Sequence, residues 1–126
     1  MNETILIVDD EPDIVSLTEK FLQIGQFTTI TCNNGKEALK RLEDGFSDIA
    51  LVLLDVMMPG VSGTEVLEII KAKKEYEHIK VILFTVKSFR EDIEQGKMLG
   101  ADGYITKPFS GNDLLDYVKK ILGHMK

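Results

Sequence analysis

The stretch Ile49-Ala50-Leu51-Val52-Leu53-Leu54-Asp55 decides the fold. It is a short, unbroken apolar run that ends on an acid. A run of that length without polar alternation reads as a strand buried on both faces, the kind found at the centre of a parallel sheet. Working outward, related runs occur at Ile5-Leu6-Ile7-Val8, Phe27 to Cys32, Val81 to Phe84 and Gly103-Tyr104-Ile105. Longer amphipathic stretches separate them. Strands that alternate with helices in this way imply crossover units and a mostly parallel sheet.

The expected helix starts agree. Asn34 with Glu37, Ser62 with Glu65, Ser88 with Glu91, and Ser110 with Asp113 each place a capping residue three before an acid. That is the spacing of the capping box or its variants. Pro12 suits the first turn of the remaining helix, which makes five. Apolar residues recur at helical spacing at Ile14, Leu17, Phe21 and Ile24 in the first helix. They recur at Leu114, Leu115, Val118, Ile121 and Leu122 in the last. Gly100 is placed to end the fourth helix with a left-handed cap.

Strand order follows from the same runs. The first, third and fourth are almost wholly apolar, so they belong in the centre. The second, Phe27-Thr28-Thr29-Ile30-Thr31-Cys32, is half polar, and the fifth is short and contains Gly103. Both read as edges. Right-handed crossovers then favour a flavodoxin-like, doubly wound α/β sheet of order 2-1-3-4-5.

Composition limits the function. The chain has 126 residues, the size of one domain spanning 1–126, and 44% of them are hydrophobic, enough for a core. Its net charge is −6 and its pI is about 4.9. Nucleic-acid surfaces need clustered Lys and Arg, so no direct nucleic-acid contact is expected. Cys32 is the lone cysteine, which fits a reducing compartment. The N-terminus has no signal-peptide pattern. The apolar runs fall far short of the ~20 residues that span a bilayer. These readings give the expectation of a cytoplasmic protein without membrane association.

In sheets of this type, ligands bind beyond the carboxyl ends of the strands flanking the switch point, here the first and third. Asp9 and Asp10 follow the first strand and Asp55 follows the third. Three carboxylates at one rim repel one another and raise one another's pKa. A hard divalent cation resolves that conflict, and Mg2+ prefers carboxylates with waters and phosphate oxygens. Taken singly, an Asp after a strand is often a helix cap or turn former; jointly the three point to an ion site. Thr85 follows the fourth strand and Lys107 the fifth, adding a hydroxyl and an ammonium to the rim. Either alone is common at a strand end. Together the set is equipment for phosphoryl transfer, which depends on positioning and electrostatics.

At this point the chain resembles the receiver domain of two-component response regulators, CheY-like proteins. The resemblance rests on Asp9-Asp10, on Asp55-Val56-Met57-Met58-Pro59-Gly60, on Thr85, and on Lys107-Pro108-Phe109. It covers essentially the whole chain. It implies that Asp55 takes a phosphoryl group from a histidine kinase or phosphotransfer protein as an acyl phosphate. It implies that Asp10, Asp55 and the Met57 backbone carbonyl ligate Mg2+, or alternatively Mn2+, with Asp9 acting mostly through water. Lys107 would pair with Asp55 at rest and with the phosphoryl oxygens afterwards. Thr85 would move its hydroxyl toward them, and the Met57 and Val86 N–H groups would complete the cradle. Tyr104 matches the family's switch aromatic, against the plainer reading of an edge-strand tyrosine with a wet hydroxyl. The Lys107–Pro108 bond is typically cis in the family.

The resemblance also implies a signalling switch rather than an enzyme with an outside substrate: it would catalyse only its own phosphorylation and dephosphorylation. Phosphorylation adds roughly −1.5 to −2 charge. It would repack the face made by the fourth helix, fifth strand and fifth helix, including Phe89, Arg90, Lys97, Tyr104, Phe109 and Asp113. The partner there is an output protein or an output domain beyond the chain, and the receiver is expected as a monomer or a phosphorylation-dependent dimer.

Some positions depart from the family pattern. Val86 stands where a smaller residue such as alanine is usual, and Met57 offers no polar group to orient an attacking water. A slow-decaying phosphoryl group and poor use of small phosphodonors are the expectation. Lys87 flanks the same path. Gly103 stands where winged-helix transcription-factor receivers usually carry a second acid used in a symmetric dimer, which weakens that dimer mode.

Other readings compete. A pseudo-receiver would bind partners without phosphorylation, but the acids and Lys107 are all present. A dehalogenase-type phosphatase would need a second acid where Met57 stands. A flavin carrier would need a Ser/Thr/Gly-rich phosphate loop, and Asp9-Asp10-Glu11 would repel phosphate. His78, His124 and Cys32 lack zinc-ligand spacing.

Overall fold

The computed structural model describes residues 3–45, 48–58, 60–86, 94 and 97–124. Its strands are β1 (Thr4–Val8), β2 (Thr28–Cys32), β3 (Ile49–Asp55), β4 (Lys80–Val86) and β5 (Gly103–Lys107). Its α-helices are α1 (Pro12–Ile24), α2 (Gly35–Gly45), α3 (Gly63–Ala72) and α4 (Gly111–Ile121), with a 3₁₀ turn at Lys74–Tyr76. The sheet is parallel throughout, in the order β2-β1-β3-β4-β5. The expected order and edges are therefore observed.

Five helices were expected, and four lie among the described residues. The expected fourth falls largely on residues outside them, including the Ser88–Glu91 cap. Of that stretch, Glu94, Lys97 and Met98 are helical. Gly100 has φ +96°, the left-handed conformation expected of a terminator, and its N–H donates to the Lys97 carbonyl at 3.2 Å.

The core explains why β1, β3 and β4 are apolar on both faces. Successive side chains of a strand point to opposite sides. Leu6, Val8, Val52, Leu54, Val81 and Leu83 face one layer with Ala38 and Leu42 of α2 and Val66, Leu67 and Ile70 of α3. Ile5, Ile7, Leu51, Leu53, Ile82 and Phe84 face the other with Leu22 of α1 and Leu114 and Val118 of α4. Each fully buried aliphatic chain contributes roughly 1.5–3 kcal/mol relative to exposure. The caps are formed as well. The N–H groups of Glu37, Glu65 and Asp113 donate to Asn34 Oδ1, Ser62 Oγ and Ser110 Oγ at 2.8, 3.3 and 3.1 Å.

The buried stripe of α1 is not the expected one. Thr18 and Leu22 are buried, with Val15 and Phe21 packed beside them. Leu17 and Ile24 are 42% and 65% exposed. The helix carries an apolar row at 14/17/21/24 and, one position on, a row at 15/18/22 that includes Thr18, and apolar periodicity favours the first. No helix among the described residues is long and apolar enough to cross a membrane.

Candidate functional site

Three strand ends build the site. At β1, the Asp9 N–H continues the sheet by donating to the Cys32 carbonyl at 3.1 Å, which aims the Asp9 side chain over the rim. Asp9 is fully buried. Its Oδ1 accepts the Glu11 N–H at 3.0 Å. That bond turns the chain into α1, whose first helical residue is Pro12. At β3, the Val56 N–H donates to the Phe84 carbonyl at 3.0 Å, holding the strand straight through Asp55. Gly63 then brings α3 against this end. A Cβ there would lie 2.1 Å from the Asp55 carbonyl oxygen, so only glycine permits the approach. At β5, Lys107 precedes a cis peptide bond to Pro108.

These ends converge. Carboxylate oxygens of Asp9, Asp10, Glu11 and Asp55 lie within 4.8 Å of one another. Lys107 Nζ reaches Asp9 Oδ2 at 2.8 Å, Glu11 Oε1 at 3.3 Å and Asp55 Oδ1 at 3.6 Å. The expected Lys107–Asp55 pair is present, but Asp9 is the nearer partner. Met57 N–H donates to Asp55 Oδ1 at 3.2 Å, while the Met57 side chain is 56% exposed. Thr85 is buried one residue beyond Phe84, the register partner of Asp55. Tyr104 stands apart from the acids, on the edge strand and partly exposed. The Val86 side chain, Lys87, Phe89, Arg90 and Pro59 lie outside the described residues.

The charges act on one another. Burial, and then the Asp9 charge, push the Asp55 carboxyl up to about 7, against the opposing pull of Lys107 and the Met57 N–H. Burial alone would lower the Lys107 ammonium. Its hydrogen bond to Asp9 and the charges of Asp55 and Asp9 outweigh that and hold it above its ordinary value. A cleft of about 300 Å3 opens beside Asp9 and Asp10, with Ser16, Cys32, Asn33 and Glu37 in its walls. Burial and the neighbouring Glu37 push the Cys32 thiol up to about 12, so it is no thiolate nucleophile at neutral pH.

The donor set fits a hard divalent cation. It is all oxygen, closely spaced and strongly negative. Glu11 is the residue that sequence reasoning missed. Its signal was present as the third acid in Asp9-Asp10-Glu11, but a position one residue before a helix gave no reason to bring it onto Lys107.

Comparison with known proteins shows the family. The family described as the response regulator receiver domain matches residues 5–119. The chain is 40% identical over 122 residues to the alkaline phosphatase synthesis transcriptional regulatory protein PhoP of Bacillus subtilis, covering 97% of this chain and 49% of that protein. It is 39% identical over 126 residues to the regulatory protein VanR of Enterococcus faecium, covering 100% of this chain and 52% of that one. The chain thus spans about half the length of these curated relatives. Among solved structures, the BeF3-activated DrrB receiver domain superposes with a TM-score of 0.85 at 34% identity, covering 98% and 99% of the two chains. Vibrio cholerae chemotaxis protein CheY4 superposes with a TM-score of 0.88 at 26% identity, covering 96% and 99%.

Proposed function

The chain belongs to the response regulator receiver family, and on that premise we propose that Asp55 accepts a phosphoryl group from a phosphohistidine donor on a histidine kinase or phosphotransfer protein. One observation carries the reading: the buried Asp55 carboxylate shares a single ion-sized space with three other acids and a lysine.

Asp55 Oδ1 is engaged by the Met57 N–H and faces Lys107. Its other oxygen would act as the nucleophile. A lone pair on that oxygen forms the new P–O bond as the P–N bond to the donor imidazole breaks. The bonding pair leaves with the imidazole nitrogen. Asp10, Asp55 and the Met57 carbonyl would hold Mg2+, or Mn2+ in its place, with Asp9 behind them. Bound there, the cation supplies positive charge that offsets the acids and the phosphoryl oxygens. Lys107 supplies the remaining positive charge, moving from Asp9 toward the new phosphoryl oxygens. Thr85, at the end of β4, donates its hydroxyl to the same group. Closing these contacts draws the β4 end inward, and Tyr104 follows on the neighbouring strand. The added charge biases a two-state element only through such differential contacts.

The output is a protein contact at the face of β5 and α4, where Tyr104, Phe109 and Asp113 line a cleft of about 260 Å3. The partner is either a separate protein or a further domain in the part of the relatives that this chain does not match. The alternative of a non-phosphorylated binding module gains no support, because the acids and Lys107 converge.

Beryllofluoride binding, measured by titration calorimetry, tests the site. The wild type should bind it with Mg2+ and not with EDTA, and Asp55→Asn should not bind. Binding that survives the loss of either Mg2+ or Asp55 would refute the assignment.

A further inference from the structure

We propose that Lys97 is a positioning residue that holds Tyr104 outward and so sets the resting population of the switch. The proposal rests on the switch role given to Tyr104 above. Tyr104 is 36% exposed. Lys97 Nζ lies 5.2 Å from the centroid of its ring, within cation–π range. The backbone of Tyr104 is fixed as well. Tyr104 N–H donates to Tyr117 Oη at 3.2 Å, which covers an otherwise open donor on the edge strand. Gly103 makes room for that phenol, since a Cβ there would lie 2.3 Å from Tyr117 Oη. The departure at Gly103 thus has a physical use. It admits Tyr117, and Tyr117 anchors the strand from which Tyr104 projects toward Lys97.

When the ring turns inward, the ammonium loses its aromatic partner. The contact therefore exists only in the outward state and weights the equilibrium toward it. An exposed contact of this kind shifts a two-state population about twofold to fivefold. A ligand that selects the inward state pays that same factor in apparent affinity. Lys97 is thus a brake on activation.

The sign of the effect separates this role from a field effect. Removing a positive charge from the surface weakens or leaves unchanged the binding of an anion. Removing the brake strengthens it. The test is Mg2+-dependent beryllofluoride affinity in the full chain, with Lys97→Met, which keeps the apolar stem, and Lys97→Arg, which keeps the cation. Lys97→Met should bind about twofold to fivefold tighter than wild type, and Lys97→Arg should match wild type. In a Tyr104→Ala background, Lys97→Met should change nothing. With 3-fluorotyrosine incorporated, the 19F resonance of Tyr104, assigned by Tyr104→Phe, should move in Lys97→Met toward its beryllofluoride-bound position. Equal or weaker binding in Lys97→Met, or a gain that persists without the Tyr104 ring, would overturn the proposal. Failure of the wild type to bind beryllofluoride at all would instead bring down the reading of the site, and the brake with it.

Discussion

The Lys107 ammonium lies 2.8 Å from Asp9 and 3.6 Å from Asp55, so at rest one lysine serves two buried acids and Asp9 holds it more closely. Lys107 itself is almost buried. Removing one partner of such a cluster strands the other charges. Lys107→Met should therefore lower the unfolding free energy by about 3 kcal/mol in EDTA. Millimolar Mg2+ should restore much of it, because a cation bound by the same acids replaces the lost charge. Urea unfolding with and without Mg2+ checks this. An equal loss under both conditions would show that Lys107 matters by packing rather than by charge.

Asp55 ties stability to pH. Its folded carboxyl stands near 7, above its ordinary value of 3.8. A carboxyl raised in this way favours the folded state while protonated. Its contribution is full below about pH 4 and is lost as pH rises through about 7. Asn mimics the protonated acid. In EDTA, Asp55→Asn should raise Tm by on the order of 5 °C at pH 8 and have little effect at pH 4. Mg2+ should narrow the difference at pH 8. Thermal melts at the two pH values decide it, and a gain of equal size at both would contradict the assigned cause.

Much of this arrangement was legible in the chain. The apolar runs gave strand identity and order because burial on both faces removes the alternation that an edge strand keeps, as Thr28, Thr29 and Thr31 show in β2. The acids were legible because a strand end is a fixed address: Asp9, Asp10 and Asp55 had to share a rim once the order was known. Three things were not legible. The rotation of α1 was misleading because the buried row carries Thr18 while the fully apolar row beside it is partly exposed. The preference of Lys107 for Asp9 depends on distances of about an ångström between acids that the sequence treats alike. The seat of Tyr117 above Gly103 is a contact across 14 residues that no local pattern announces.

Thr18 is the misfit of the α1 interface. It is fully buried, and its hydroxyl has no hydrogen-bond partner among the described residues. An unmet buried hydroxyl costs about 1–3 kcal/mol. Thr18→Val should stabilise the fold by about 1 kcal/mol. An unchanged or lower urea midpoint would mean that the hydroxyl is satisfied in solution.

Gly63 is the tightest approach to the site. Gly63→Ala would set a Cβ against the Asp55 backbone. Overpacking of this kind costs typically about 1–3 kcal/mol. It should also displace Asp55, so beryllofluoride affinity should fall along with Tm. A stability loss with unchanged affinity would show that α3 yields and β3 does not.

Val86 and Met57 are the positions we propose to govern phosphoryl lifetime. Met57, two residues after Asp55, is exposed and its thioether side chain carries no polar group to orient water. Val86→Ala with Met57→Asn should speed loss of the phosphoryl group severalfold and improve the use of small phosphodonors. An unchanged decay of the labelled protein would remove side-chain control at these positions from the account.

The central claim is tested most directly by phosphoryl transfer from a histidine kinase, with Mg2+ and with EDTA, on the wild type and on Asp55→Asn. The account predicts an acid-stable, base-labile label that needs Mg2+ and maps to Asp55. A kinase that labels another receiver but leaves this one bare, together with no Mg2+-dependent beryllofluoride binding, would contradict it and leave the acids as loop structure.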